Sequence, residues 1–116
     1  MKSIQLFIIF FACCAISFHS NAQDKGVVED TITVEGVCGM CKERIEEAAY
    51  GKGVKFASWD KNSKQLVLAY RSDKTSLEEV EGRIAAAGHK TENTAAKKDD
   101  YESLPDCCKY EHVDTH

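Results

Sequence analysis

Cysteines carry most of the chemistry this sequence offers. Two of them stand three residues apart in Cys38-Gly39-Met40-Cys41, two more are vicinal at Cys107-Cys108, and Cys13 and Cys14 lie near the start. The spacing of Cys38 and Cys41 brings two sulfurs to one point. Cys41 falls at the start of a helical pattern, where unpaired backbone N–H groups and the positive end of the helix dipole favour thiolate over thiol. Thiolates are soft, polarisable donors that select Cu(I), Hg(II) or Zn(II) over Mg or Ca. Two protein ligands do not fill a zinc tetrahedron, but they suit an ion content with two or three donors. That low coordination number leaves room for an incoming thiol, so an ion can leave by ligand exchange. A thiophilic ion such as Cu(I) fits this chemistry, with Hg(II) and Zn(II) also open.

A second group of donors crowds into the last ten residues: Cys107, Cys108, His112 and His116. If Pro105 opens a helical turn, Cys108, His112 and His116 fall at i, i+4 and i+8 on one face. That arrangement makes either a second metal site or an arm that closes over Cys38 and Cys41. Tyr101, Leu104 and Tyr110 read as residues that pack the tail on the domain.

Other uses of the C-x-x-C pair fit the sequence less well. Attachment of a c-type haem needs His directly after the second cysteine, and Lys42 stands there. Thiol–disulfide exchange remains an alternative, but the thioredoxin arrangement wants a larger sheet and a cis-proline facing the cysteines. The only proline is Pro105. A plain structural disulfide would close so short a loop that it contributes little stability. No paired acid and base, nucleophile–His arrangement or phosphate loop is present, so a binding protein rather than an enzyme is expected.

The elements that must position these residues follow from periodicity. From Thr31 the chain alternates, with Ile32 and Val34 on one side, until Gly36. A helix beginning at about Cys41 buries Ile45, Ala48 and Ala49 and stops at Gly51 and Gly53. Val54 to Trp59 and Gln65 to Arg71 form a hairpin around a polar turn, with Leu66, Leu68 and Tyr70 on one face. Ser76 and Glu79 form a capping box for a second helix whose stripe is Leu77, Val80, Ile84 and Ala87, ending at Gly88. His89 to Thr94 is expected as a short fourth strand, and residues 95 to 100 as a linker. The order β-α-β-β-α-β predicts an α+β, ferredoxin-like sandwich, with two helices on one face of a four-stranded antiparallel sheet. The expected units are a domain over 28–95 and a linker with a Cys/His tail over 96–116.

The first residues look like an export signal. Lys2 precedes an apolar run from Ile4 to Ile16, then small polar residues, with cleavage expected after Ala22. The run is 13 residues long, against roughly 20 for a spanning helix. Phe10-Phe11-Ala12-Cys13 loosely resembles a lipobox, which would add a lipid anchor. A periplasmic location is the expectation. The formal net charge of −4 becomes −5 once Lys2 leaves, and no basic stripe is present, which disfavours nucleic acid as a partner.

Residues 31 to 94 resemble a heavy-metal-associated domain, the family of small copper chaperones, metal-ATPase N-terminal domains and periplasmic mercury-binding proteins. The resemblance is carried by Ile32 to Gly36, Cys38 and Cys41, the helix Lys42 to Tyr50, Gly53-Val54, the strand Leu66 to Tyr70, and Ile84 to Gly88. It implies the βαββαβ fold, places Cys38 and Cys41 as metal ligands and, together with thiolate softness, makes Cu(I) the expected cargo, with Hg(II) or Zn(II) as alternatives. It also suggests a metal-transporting membrane protein or another thiol protein as partner, and allows a metal-bridged dimer. Two features depart from the family pattern. The segment Gly36-Val37-Cys38 is one residue short and Met40 lies between the cysteines, so Met40 does not inherit the family's buried-Met role. It either packs the loop or offers a thioether. His89 stands where the family often has Tyr or Lys near the metal, which makes its imidazole a candidate third ligand.

Overall fold

The computed structural model describes residues 26–111; the leader-like segment, His112 and His116 lie outside them. Strands β1 (Val27–Thr33), β2 (Val54–Trp59) and β3 (Gln65–Arg71) form an antiparallel sheet in the order β1-β3-β2. Helices α1 (Gly39–Ala49) and α2 (Leu77–Ala86) cover one face, and a short helix α3 (Lys98–Glu102) and a 3₁₀ turn (Asp106–Cys108) follow. The alternation that marks the strands sets the layers. Ile32, Ala57, Trp59, Leu66, Leu68 and Tyr70 point to the helices and are buried, while Phe56 and Val67 face outward. Ile45 of α1 and Val80 and Ile84 of α2 close the same core with no exposed surface.

Both hairpin strands have the expected bounds, because the turn between them is chemically specified. The Asp60 carboxylate accepts the N–H groups of Asn62 and Ser63, both at 2.8 Å, an Asx-type turn. Lys64 takes a left-handed φ of 64° to return the chain. The expected capping box forms only in part. Ser76 Oγ accepts the Glu79 N–H at 3.1 Å, but the Glu79 carboxylate accepts the hydroxyl of buried Thr75 at 2.8 Å. A buried hydroxyl needs a partner more than an exposed backbone donor does.

The fourth strand is reduced to one bridge, Val34 with Thr91. Its edge makes two ladder bonds, Glu35 N–H to Lys90 O at 2.8 Å and Glu92 N–H to Thr33 O at 2.9 Å. Two competitors end it there. Thr91 and Thr94 close a tight turn on each other, and the Lys90 N–H donates to the Tyr110 hydroxyl at 3.1 Å. Among the described residues the sheet therefore has three strands, not four, within the same α+β architecture.

The segment expected as a linker carries the start of α3, and the tail after it docks on the domain. Leu104 is 3% exposed and packs where Gly88, at φ 102°, has no side chain. Tyr110 donates to Gly88 O at 3.0 Å and meets Tyr101 edge-on at 4.9 Å between ring centroids. Tyr101, Leu104 and Tyr110 thus pack as read from the sequence. Among the described residues no helix is long and apolar enough to cross a membrane.

Candidate metal centre

The cysteine loop is held from beneath by Trp59. Its indole Nε1–H donates to Val34 O at 3.0 Å, and its ring fills the space under Gly36. A Cβ on Gly36 would stand 2.9 Å from Trp59 Cη2 and 3.1 Å from Cys41 Cβ, so only glycine lets the loop lie this close. The Lys64 ammonium donates to Gly36 O from the hairpin. On the helix side, Lys42 pairs with Glu46. Glu46 accepts the Trp59 N–H at 2.8 Å and Lys42 donates to Trp59 O at 3.0 Å. These contacts lock the first turn of α1 to the end of β2.

That turn begins at Gly39, two residues earlier than expected, so Cys38 itself is the N-cap, with extended backbone. Cys41 lies one turn in and is fully buried, whereas Cys38 is 7% exposed. Their sulfurs are 3.4 Å apart. The 3₁₀ turn of the tail then brings in Cys108, fully buried, with Sγ 3.8 Å from Cys38 Sγ. The sulfurs of Cys38, Cys41 and Cys108 all lie within 4.8 Å of one another. Metal–thiolate bonds of about 2.3 Å separate the sulfurs of a planar trigonal site by about 4.0 Å. The trio matches that spacing after shifts of tenths of an ångström.

Cys38 and Cys108 are not equivalent electrostatically. Burial pushes the Cys38 thiol up, but the N–H of Cys41, the thiols of Cys41 and Cys108 and the N–H of Met40 outweigh it and bring Cys38 from 9.0 down to about 7. Cys108 is pushed strongly up, first by burial and then by the neighbouring Cys41 and Cys38. The metal-free centre thus holds one thiol poised to ionise near neutrality beside one that stays protonated. An incoming cation displaces the remaining protons.

Two other expected donors, Cys107 and His89, lie outside the trio. Cys107 is outside the trio, 3.9 Å from Cys108 Sγ and 3.7 Å from Met40 Sδ. His89 is fully buried, and its Nδ1 pairs with Glu35 O at 2.8 Å. That bond turns the ring into the domain, outside the group of converging sulfurs. Burial lowers its pKa, partly offset by the Glu35 carbonyl. Pro105 opens a 3₁₀ turn, not a longer helix. Lys109, at φ −77° and ψ 88°, ends the 3₁₀ turn immediately, and His112 and His116 fall beyond the described residues. Sequence reasoning did not separate Cys108 from Cys107, and it did not pair Met40 with Cys107. The apolar residues of the tail were the available signal that it docks, but not which cysteine it turns inward.

No protein-family model and no curated protein matches the chain. Solved structures do. The CopZ metallochaperone superposes with a TM-score of 0.53 at 26% identity, covering 55% of this chain and 98% of its own. A candidate copper-ion-binding protein from Bacillus anthracis str. Ames superposes with a TM-score of 0.54 at 22% identity, covering 57% of this chain and 96% of its own, a likeness of fold alone. The chain therefore has the heavy-metal-associated type of ferredoxin-like fold. Both neighbours are spanned almost end to end by little more than half of this chain.

Proposed function

We propose that this protein binds Cu(I) through Cys38, Cys41 and Cys108 outside the cytoplasm and passes it to a partner by thiol exchange, without catalysing a reaction. The observation that carries the reading is the convergence of three buried sulfurs at nearly trigonal spacing. The likeness to a copper metallochaperone supports copper as the cargo, and the leader-like run Ile4 to Ile16 supports export. Thiolate softness alone leaves Hg(II) as a competitor, whereas three sulfurs are one short of a closed zinc site. Cys38, poised to ionise near neutrality, offers the initial bond. Cys41 and Cys108 then close around the ion, and their protons leave to solvent. Release runs in reverse: a thiol of a metal-transporting membrane protein or of another thiol protein adds to the three-coordinate ion, and protonation of Cys108 favours departure.

The test is titration of the reduced protein with Cu(I) against a chromophoric chelator. One tight equivalent is expected, abolished in Cys38→Ser/Cys41→Ser and weakened at least about tenfold, or 1.4 kcal/mol, in Cys108→Ser. Failure to compete with the chelator sinks the copper reading, and Hg(II) and Zn(II) are then titrated in the same way. The lowered Cys38 pKa also suits thiol–disulfide exchange. Turnover of dithiols by metal-free protein would favour that second reading.

A further inference from the structure

The sulfurs of this protein do not end with the buried trio. Met40 is 49% exposed, a large apolar side chain on the first turn of α1. Its thioether lies 3.7 Å from Cys107 Sγ. Cys107 in turn is 3.9 Å from Cys108 Sγ, which is 3.8 Å from Cys38 Sγ. The five sulfurs form an unbroken file from half-exposed surface to fully buried centre. The tail builds it with two adjacent residues. Cys108 N–H bonds to Pro105 O at 2.8 Å, and the tight 3₁₀ turn sends the Cys108 side chain inward while Cys107 stays at the surface.

We infer that Met40 and Cys107, sharing Cys108 with the inner trio, form a second soft-metal site at the mouth of the first. The inference rests on the soft-metal reading of Cys38, Cys41 and Cys108. Thioether and thiolate are both donors selective for Cu(I), and their spacing is close to the roughly 4.0 Å that bonds of about 2.3 Å require. An ion there is bound by the Cys107 thiolate and the Met40 thioether, with the Cys108 thiolate bridging both ions. Formation of the Cu–S bonds releases the Cys107 proton to solvent, and copper stays in the +1 state throughout. With a thioether among its donors and its face open, the outer site binds more weakly than the inner one. It is the place where an ion arrives or leaves, one ligand exchange away from the buried centre. The placement also gives Met40 a role between the two cysteines of the motif.

The test is the Cu(I) stoichiometry of the reduced protein, read by non-denaturing mass spectrometry with Cu(I) in excess over a weak chelator. The variant Met40→Leu/Cys107→Ser is measured in parallel, and its first equivalent is titrated against a strong chelator. The expected result is two ions on the native protein and one on the variant, with the affinity of the first equivalent kept within about threefold, roughly 0.65 kcal/mol. Thermal unfolding of the metal-free variant confirms that it folds. A native protein that stops at one tightly held ion overturns the outer site and leaves the inner one standing. So does a variant that still takes up two. A native protein that takes up no Cu(I) overturns both this inference and the reading it rests on.

Discussion

A Cβ on Gly88 would stand 2.8 Å from Leu104 Cγ and 2.6 Å from the Asp100 carbonyl oxygen. The glycine that ends α2 is thus also the seat on which the tail docks. Its φ of 102° is a conformation that L side chains rarely adopt. Leu104 lies four residues before Cys108, so this contact holds the segment that carries the third sulfur.

Gly88→Ala is expected to destabilise the protein by more than the roughly 1–2 kcal/mol of left-handed backbone strain, because the tail must also move. Two readouts separate the effects. Thermal unfolding reports the loss of stability, and alkylation of the metal-free protein reports Cys108, which should change from protected to reactive. A Cys108 that stays protected would show that docking does not depend on Gly88.

Gly36→Ala tests the support beneath the cysteine loop. The added methyl meets both the Trp59 ring and Cys41 Cβ, and overpacking of this kind typically costs about 1–3 kcal/mol. Affinity for Cu(I) should fall along with stability, since the methyl displaces Cys41. In the native protein, binding should perturb the fluorescence of Trp59, the single tryptophan. An unchanged affinity in the variant would mean that the loop relaxes without moving its sulfurs.

Arg83→Met should separate stability from metal binding. The Arg83 guanidinium donates to Ala49 O at 2.9 Å and to Ala48 O at 3.3 Å, closing the C-terminal end of α1 against α2. A hydrogen bond from a charged donor contributes about 1.5–3 kcal/mol, and a loss toward the lower end is expected at this partly exposed site. The sulfur centre lies at the other end of α1, so Cu(I) affinity should hold. A parallel loss of affinity would show that α1 tilts as a unit.

The pH dependence of the metal-free protein follows from Cys38 and Cys108. Cys38 is lowered to about 7 on folding, so its contribution to stability is complete above the ordinary thiol value and is lost as pH falls through about 7. Cys108 is raised. Its contribution is complete below the ordinary value and is lost as pH climbs toward the higher folded one. Ultraviolet thiolate absorbance should therefore show one ionisation near pH 7, missing in Cys38→Ser. A native protein with no thiolate below about pH 8, near the free-cysteine value, would contradict this.

The sequence by itself determined the elements whose signals are local. Alternation through Leu66, Leu68 and Tyr70 set the register of β3, because period-two burial has one solution when a single face is covered. The Asp60 turn set the hairpin, and the spacing of Cys38 and Cys41 set the sulfur pair, whose separation depends on only one turn of backbone. The tertiary structure decided whatever required one segment to compete with another. His89 to Thr94 was legible as extended chain, yet the Tyr110 hydroxyl claims the Lys90 N–H and the strand stops at one bridge. His89 looked like a ligand beside the motif, but the carbonyl of Glu35 holds its ring inside the domain. Cys107 and Cys108 are indistinguishable as neighbours in a sequence. Cys108 faces inward on a tail seated by Leu104 against Gly88, a long-range packing contact that no local pattern encodes.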